Sequence, residues 1–451
     1  MTTPALGRIR RPKGLRHPGQ VLVAAFAATI AVGTLLLMLP VARAGSGGAD
    51  AVTALFTSTS AVCVTGLVVV DTETYWSGTG HVIILLLIQV GGFGLMTLAS
   101  LLAIFVSRRL GLRTRLNAAA ETKSVGIGDV RAVVRGVLVI TVVVESLTAA
   151  FLTGRLLVEG QPPARAVWLG VFHAVSAFNN AGFSLHSDSL TRYLSDAWIL
   201  MPISVAVVVG GLGFPVILEL SRRNHPRRWS LHTRLTLLMT AILLVGGTLF
   251  VTVSEWGNTA TMGTLDPAHK VVAGFFHAVQ PRTAGFNAWD YADITQETLL
   301  GTIILMFIGG GSAGTAGGLK VTTFIILFFV IVAEVRGDPQ VVAFDRRIEP
   351  RVIRQALTVA LLAVGLVVGS TMLLTELTDF ALADVLFETT SAFSTVGLST
   401  GLTPNLNDPA RLVIIALMFI GRLGPITLVS ALALRERARR FSYPEGAPII
   451  G

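Results

Sequence analysis

The sequence is short of charge and nearly empty of cysteine. Asp, Glu, Lys and Arg supply 14% of its 451 residues while 52% are hydrophobic, whereas a soluble domain carries roughly a quarter charged residues. That deficit excludes an ordinary soluble fold. A single cysteine, Cys63, excludes an internal disulfide and any cysteine-based zinc or iron–sulfur site. A cleavable secretory signal is also missing. The first apolar stretch follows a basic head (Arg8, Arg10, Arg11, Lys13, Arg16), runs to spanning length and has no evident cleavage site, so it reads as a retained first helix. An enzyme would need paired acids, a nucleophile with its base, or a metal cluster, and none of these stands out.

What is present is apolar sequence in long runs, with a mean hydropathy of +0.72. Stretches able to cross a hydrocarbon layer of roughly 30 Å lie at 21–39, 81–106, 133–152, 197–220, 235–253, 299–332, 352–374 and 412–434. Eight spans are therefore expected, in an all-α integral membrane fold. The net charge of +9 is not spread as a nucleic-acid surface would be. Basic residues gather at the N-terminus, 108–135, 222–234, 336–354 and 435–440. Acids gather between them, at 71–73, 188–196, 255–266, 290–297 and 376–384. This alternation is the positive-inside pattern, which puts the basic clusters and both termini in the cytoplasm and leaves no nucleic-acid partner to expect.

Between successive basic clusters the chain repeats one course: out, a short excursion, and back. The excursions align as FTSTSAVCVTGL (56–67), FHAVSAFNNAGF (172–183), FHAVQPRTAGF (276–286) and FETTSAFSTVGL (387–398). In three copies the Phe stands ten residues before the Gly, and in the third it stands nine before. Each excursion is about half a span, so it reads as a re-entrant half-helix followed by a loop. Non-helical backbone at membrane depth survives only if buried in protein or lining a water-filled cavity, and four such loops around one axis meet that requirement. A dehydrated monovalent cation needs a ring of oxygen ligands, which backbone carbonyls provide without a full charge in the pore. Turning those carbonyls inward needs dihedrals that Gly adopts cheaply, and the half-helices point their partially negative C-terminal ends at the same axis. His173 and His277 hold equivalent places in the repeat, which suits a structural slot more than a metal pair.

The resulting division is a basic tail (1–20), a first unit (21–107), a second with a basic cytoplasmic linker (108–221), a third (222–335), a fourth (336–440) and a C-terminal tail (441–451). After each loop comes a second glycine cluster: VGGFG (90–94), VGGLG (209–213), IGGGS (308–312) and IGRLG (420–424). Close helix packing accounts for the first two. In the fourth, Arg422 replaces a glycine at membrane depth, where an arginine usually faces the interior or water. It reads either as a packing residue paired with a buried acid (Glu145, Glu219 or Glu388) or as a pore-facing positive barrier. In the third the cluster grows to Gly309, Gly310, Gly311, Ser312, Ala313, Gly314, Thr315, Ala316, Gly317 and Gly318. Six glycines in ten residues cannot hold a helix, so the segment 299–332 is expected to break around a flexible loop on the cytoplasmic side of the filter. A nucleotide-binding loop is excluded, because no strand precedes it and no GK[ST] closes it.

These features together, with the stretches QPRTAGFN (280–287) and GGGSAGTAGGLK (309–320), resemble the Trk/Ktr/HKT superfamily over nearly the whole chain, and most nearly its bacterial Ktr-type membrane subunits. The resemblance implies a pore for K⁺ uptake in the bacterial plasma membrane. It implies that Val64, Thr65, Gly66, Asn180, Ala181, Gly182, Thr283, Ala284, Gly285, Thr395, Val396 and Gly397 form a K⁺ selectivity filter. It also implies that 309–318 is an intramembrane gating loop and Arg422 a pore-facing barrier. A serine in place of the first filter glycine goes with Na⁺ preference in some plant relatives, so Gly66 favours K⁺. Members are homodimers seated on a cytosolic KtrA-like ring that binds ATP or ADP, and many are Na⁺-activated; no covalent cofactor is implied for this chain. Two other functions stay open on the residues alone: a Na⁺-preferring or weakly selective cation channel, and a secondary transporter of a small organic solute.

Overall fold

Long apolar sequence inside lipid can satisfy its backbone polar groups in one local way, by coiling into helix. The computed structural model describes residues 18–109, 130–222 and 225–424, and nearly all of their regular structure is helical. In chain order come α1 (Pro18–Leu37), a short α2 (Ala51–Val62) and α3 (Gly78–Arg109). Next are α4 (Val130–Val158), α5 (Pro163–Phe178), α6 (Ala197–Leu212) and α7 (Phe214–Ser221). Then follow α8 (Leu231–Glu255), α9 (Pro267–Val279), α10 (Gln296–Phe307) and α11 (Val321–Arg336). A two-stranded hairpin, β1 (Val342–Ala343) and β2 (Arg346–Arg347), leads into α12 (Pro350–Leu377), α13 (Leu382–Ser394) and α14 (Asp408–Leu423).

Among the described residues, four helices are continuous and apolar enough to cross a bilayer: α1, α4, α8 and α12. Their outer faces carry exposed aliphatic stripes, such as Leu357, Leu361, Val364, Val368 and Met372 on α12. In water such a face would be a large apolar patch; against acyl chains it carries no penalty. The helices α2, α5, α9 and α13 have 12 to 16 residues. At 1.5 Å per residue they reach about 18–24 Å, short of a full crossing. They are buried through their last turns, polar side chains included: Ser58, Thr59, Ser60, Ser176, Thr389, Thr390 and Ser391.

One of the eight expected spans is broken where the sequence suggested a single run. The segment 197–220 is not one helix but α6 and α7, bent by 100°. The hinge is Gly213, at φ +92°, and Pro215 follows at the start of α7. A left-handed Gly ends one helix and an N-terminal Pro starts another, so the backbone turns without losing a buried N–H. The segment 299–332 breaks as expected, between α10 and α11. In the fourth unit α14 ends at Leu423, with Gly424 at φ +81°; the remainder of the expected span 412–434 lies outside the described residues. So do the head 1–17, most of the basic linker after 108, the basic cluster 435–440 and the tail 441–451.

One buried carboxylate fixes the C-terminal end of α8. Glu255 is fully buried. Its Oε1 accepts from Thr295 N and Thr295 Oγ1, both at 2.9 Å, and its Oε2 from Asn258 Nδ2 and Thr261 Oγ1, both at 2.7 Å. Thr295 is also the N-cap of α10, so the carboxylate joins the end of one helix to the start of another. Removing the acceptor leaves buried donors unpaired, at about 1–3 kcal/mol. Glu255→Ala is therefore expected to lower the thermal unfolding midpoint of the detergent-solubilised protein by several degrees; an unchanged midpoint would contradict the staple.

Candidate ion-conduction site

Near the end of each short buried helix stands a residue that ties down the loop after it. Ser60, Ser176, Gln280 and Ser391 occupy the same aligned place in the four excursions. Their carbonyls accept from Thr65 N (2.8 Å), Ala181 N (2.7 Å), Ala284 N (3.0 Å) and Val396 N (2.8 Å). Their side chains reach further along. Ser60 Oγ accepts from Gly66 N at 3.1 Å and donates to Leu67 O at 2.8 Å. Ser176 Oγ donates to Phe183 O at 2.8 Å, and Ser391 Oγ accepts from Gly397 N at 3.1 Å. The third loop is one residue shorter, and the longer Gln280 side chain makes up the distance by accepting from Phe286 N at 3.2 Å. The sequence displays this set in register, but the reading of the excursions centred on the glycines and passed over it.

The loops share one backbone form. Val64, Asn180, Thr283 and Thr395 have φ between 52° and 69°, and Gly66, Gly182, Gly285 and Gly397 between 69° and 95°. Left-handed backbone costs a non-glycine residue about 1–2 kcal/mol and persists only where the surroundings impose it. Those surroundings are the other loops. A Cβ placed on Gly66 would come within 3.1 Å of Gly182 Cα, one on Gly182 within 3.0 Å of Gly285 Cα, one on Gly285 within 3.1 Å of Gly397 Cα, and one on Gly397 within 3.0 Å of Gly66 Cα. Each glycine thus abuts the next and the fourth returns to the first, which closes a ring of backbone. Thr65, Ala181, Ala284 and Val396 sit between the left-handed pairs, all of them completely buried. The short helices end one to four residues before the first left-handed residue of each loop, so their partially negative C-termini face the ring.

The glycine-rich segment lies against this ring and against the break in α6–α7. It is non-helical, as expected, but it is held at many points. Gly309 N donates to Leu319 O (2.8 Å) and Val321 N to Gly310 O (3.1 Å), which closes the loop's neck. Gly311 N donates to Gly211 O (2.8 Å), Thr315 N to Gly210 O (3.2 Å) and Phe214 N to Ala313 O (3.2 Å), which pins it to the hinge at Gly213. Gly314 packs on Gly213, Ser312 Oγ lies 3.3 Å from Thr322 Oγ1, and Lys320 Nζ donates to Ala316 O (2.5 Å) and Gly317 O (3.3 Å). Gly317 and Gly318 lie directly against Ser394 and Thr395 of the fourth loop, where side chains would collide.

Arg422 comes up to the same segment from α14. It is 3% exposed; its guanidinium donates to Thr315 O and, at 3.4 Å, to Gly91 O. The pairing with an acid does not occur. Glu145 accepts instead from Asn179 and Gln89, Glu219 from Ser230 and Thr233, and Glu388 from Thr403. The cluster glycines serve close packing: Gly91, Gly210 and Gly421 press on Val62, Phe178 and Phe393, the ends of α2, α5 and α13.

The family described as TrkH, Cation transport protein, matches residues 6–443. The chain belongs to the TrkH cation transport family. It is 39% identical to the Ktr system potassium uptake protein B of Bacillus subtilis (strain 168), over 96% of this chain and 97% of that one. It is 36% identical to the protein of the same description from Vibrio alginolyticus, over 98% and 97%. To the potassium/sodium uptake protein NtpJ of Enterococcus hirae it is 35% identical, over 98% and 99%. The crystal structure of the potassium transporter TrkH from Vibrio parahaemolyticus superposes with a TM-score of 0.74, covering 95% of this chain and 87% of that one at 18% identity. The fold is therefore that of a TrkH-type multi-pass membrane protein.

Within this family fold, the residue after the aligned Phe ties the second, third and fourth short helices to the segment beyond the ring. His173 Nε2 lies 3.0 Å from Ser184 Oγ, and His277 Nδ1 lies 3.0 Å from Tyr291 OH while its ring stacks on Trp289. Glu388 accepts from Thr403. Both histidines thus have separate structural partners. Cys63, the C-cap of α2, is fully buried. Gly66→Ser would put a side chain on a left-handed backbone against Gly182. It is expected to reduce the preference for K⁺ over Na⁺ by about tenfold, the weight of roughly 1.4 kcal/mol, as read from competition with ⁸⁶Rb⁺ flux. Unchanged competition would remove Gly66 from the ring's function.

Proposed function

We propose that this chain is the pore-forming subunit of a Ktr-type system for K⁺ uptake across the bacterial plasma membrane. The observation that carries the reading is the closed ring of four glycine loops at the ends of four buried helices. Four tandem units surround a central pore with pseudo-fourfold symmetry. Val64–Gly66, Asn180–Gly182, Thr283–Gly285 and Thr395–Gly397 present their carbonyls to K⁺ as it sheds water. Selectivity follows because a ring fixed by its own packing and by the Ser/Gln tethers cannot shrink freely around a smaller ion. K⁺ is the cargo, and no covalent cofactor takes part.

Residues 309–318 form the gate. They lie beside the ring, interrupt what would be a continuous helix, and are held by hydrogen bonds that can be broken and remade. Arg422 adds a positive charge beside that gate, a barrier to cation leak. Both termini face the cytoplasm, following the basic clusters. The subunit forms a homodimer on a cytosolic KtrA-like ring, and ATP or ADP binds that partner. Na⁺ activates the assembly. The names of the Bacillus and Vibrio relatives, which describe a system and its protein B, support a partner subunit. The Enterococcus relative, described as a potassium/sodium uptake protein, makes a Na⁺-preferring or weakly selective cation channel the second reading.

The test is ⁸⁶Rb⁺ flux into proteoliposomes of the purified protein, with K⁺ or Na⁺ as competitor. K⁺ is expected to block at far lower concentration than Na⁺, and equal block would favour the second reading. Deleting part of 312–317 is expected to raise flux severalfold. A folded deletion variant whose flux stays level or falls would contradict the gate. Absence of flux until a KtrA-like partner is added would support the two-component system; absence with the partner would overturn the transport reading.

A further inference from the structure

The four aligned residues at the entry to the ring glycines are Val64, Asn180, Thr283 and Thr395. They share a backbone form but not a chemistry, and Asn180 is the one with separate donor and acceptor atoms. Its Nδ2 donates to Arg282 O at 3.2 Å and lies 3.4 Å from Thr283 Oγ1, so the amide crosses from the second loop to the third. Its Oδ1 accepts from Thr315 Oγ1, in the gating segment, at 2.9 Å. Asn180 is 1% exposed and Thr315 fully buried, so water offers neither an alternative partner. Thr315 is in turn fixed on two other sides. Its N–H donates to Gly210 O at 3.2 Å, and its carbonyl accepts from Arg422. Against the fourth loop the contact is different. Gly317 and Gly318 pack on Ser394 and Thr395, whose hydroxyls have no hydrogen-bond partner.

We infer that Thr315 is a positioning residue for ion selection: by fixing the Asn180 amide, the seated gate holds the second and third loops in their ion-binding geometry. A primary amide can turn over and exchange its donor and acceptor ends. The Thr315 hydroxyl, directed at Oδ1, favours the orientation that sends Nδ2 to the Arg282 carbonyl. When the segment leaves, Oδ1 loses that donor, the amide is free to turn, and the ring relaxes between its second and third loops. Gate and ring are then coupled. A ring tightened by the seated gate binds its ion better, and by reciprocity an occupied ring holds the gate more firmly shut. This rests on the reading of the ring as a K⁺ filter, and it adds that selectivity has a determinant in the gate.

The experiment measures equilibrium K⁺ and Na⁺ binding to the full-length, detergent-solubilised protein without a partner, by calorimetry and by ion-dependent thermal stabilisation. Wild type is compared with Thr315→Val, Thr315→Ser and Thr248→Ala. Thr248 is on α8, outside ring and gate, and its hydroxyl donates to Leu244 O of its own helix at 2.6 Å. Thr315→Val is expected to weaken K⁺ binding about fivefold, the weight of one buried hydrogen bond, and to narrow the K⁺ to Na⁺ preference. Thr315→Ser, which keeps the hydroxyl, is expected to restore both, and Thr248→Ala to leave both as in wild type. Should Thr315→Val fail to fold, Thr315→Ala removes the same hydroxyl with less bulk. Wild-type binding in the hydroxyl-free variants would overturn the inference, as would equal weakening by Thr248→Ala. A wild type that binds no K⁺ would overturn the filter reading instead.

Discussion

Backbone that leaves a helix inside a bilayer has no water to bond, and each unpaired group there costs several kcal/mol. The rest of the structure depends on how four non-helical loops meet that constraint together. Each borrows acceptors and donors from the last turn of its own short helix, through Ser60, Ser176, Gln280 and Ser391. Each also needs its neighbours, because the left-handed residues at Val64, Asn180, Thr283 and Thr395 are unfavourable alone. The strain is held by closure of the ring, and the outer helices hold the ring within the membrane.

The ring is fourfold in backbone but not in side chains, and the function proposed for it lies in the differences. Only one of the glycine clusters grows into a long loop, the one in the third unit, and only the fourth contributes an arginine. The second contributes the hinge at Gly213, against which the long loop rests, and the amide of Asn180, which faces that loop. The proposed gate, the hinge and the proposed barrier thus come from three different units and meet around residues 312–315. A strictly symmetric ring would offer an ion path with no part able to move independently of the rest.

Much of this was legible from residues alone. The glycines at 66, 182, 285 and 397 recur in register, and so do the short helices before them, because a repeated unit repeats its backbone requirements. The break in 299–332 followed from glycine density. The break in 197–220 was missed, although Gly213-Phe214-Pro215 is a stop followed by a start; the surrounding apolar run, scored for span length, outweighed it. Side-chain pairing across the ring was beyond reach in principle. Arg422 meets carbonyls 107 and 331 residues away, and Asn180 meets Thr315 across 135 residues. No local spacing rule could have chosen those partners over the buried acids.

The account stands on one claim, that the four loops form a binding ring for a dehydrated monovalent cation. Anomalous scattering from crystals soaked in Rb⁺ or Tl⁺ tests it most directly. The account predicts heavy-ion density on the axis, bounded by the backbone carbonyls of residues 64–66, 180–182, 283–285 and 395–397. Ordered heavy ions elsewhere with an empty axis, at concentrations that support flux, would contradict it.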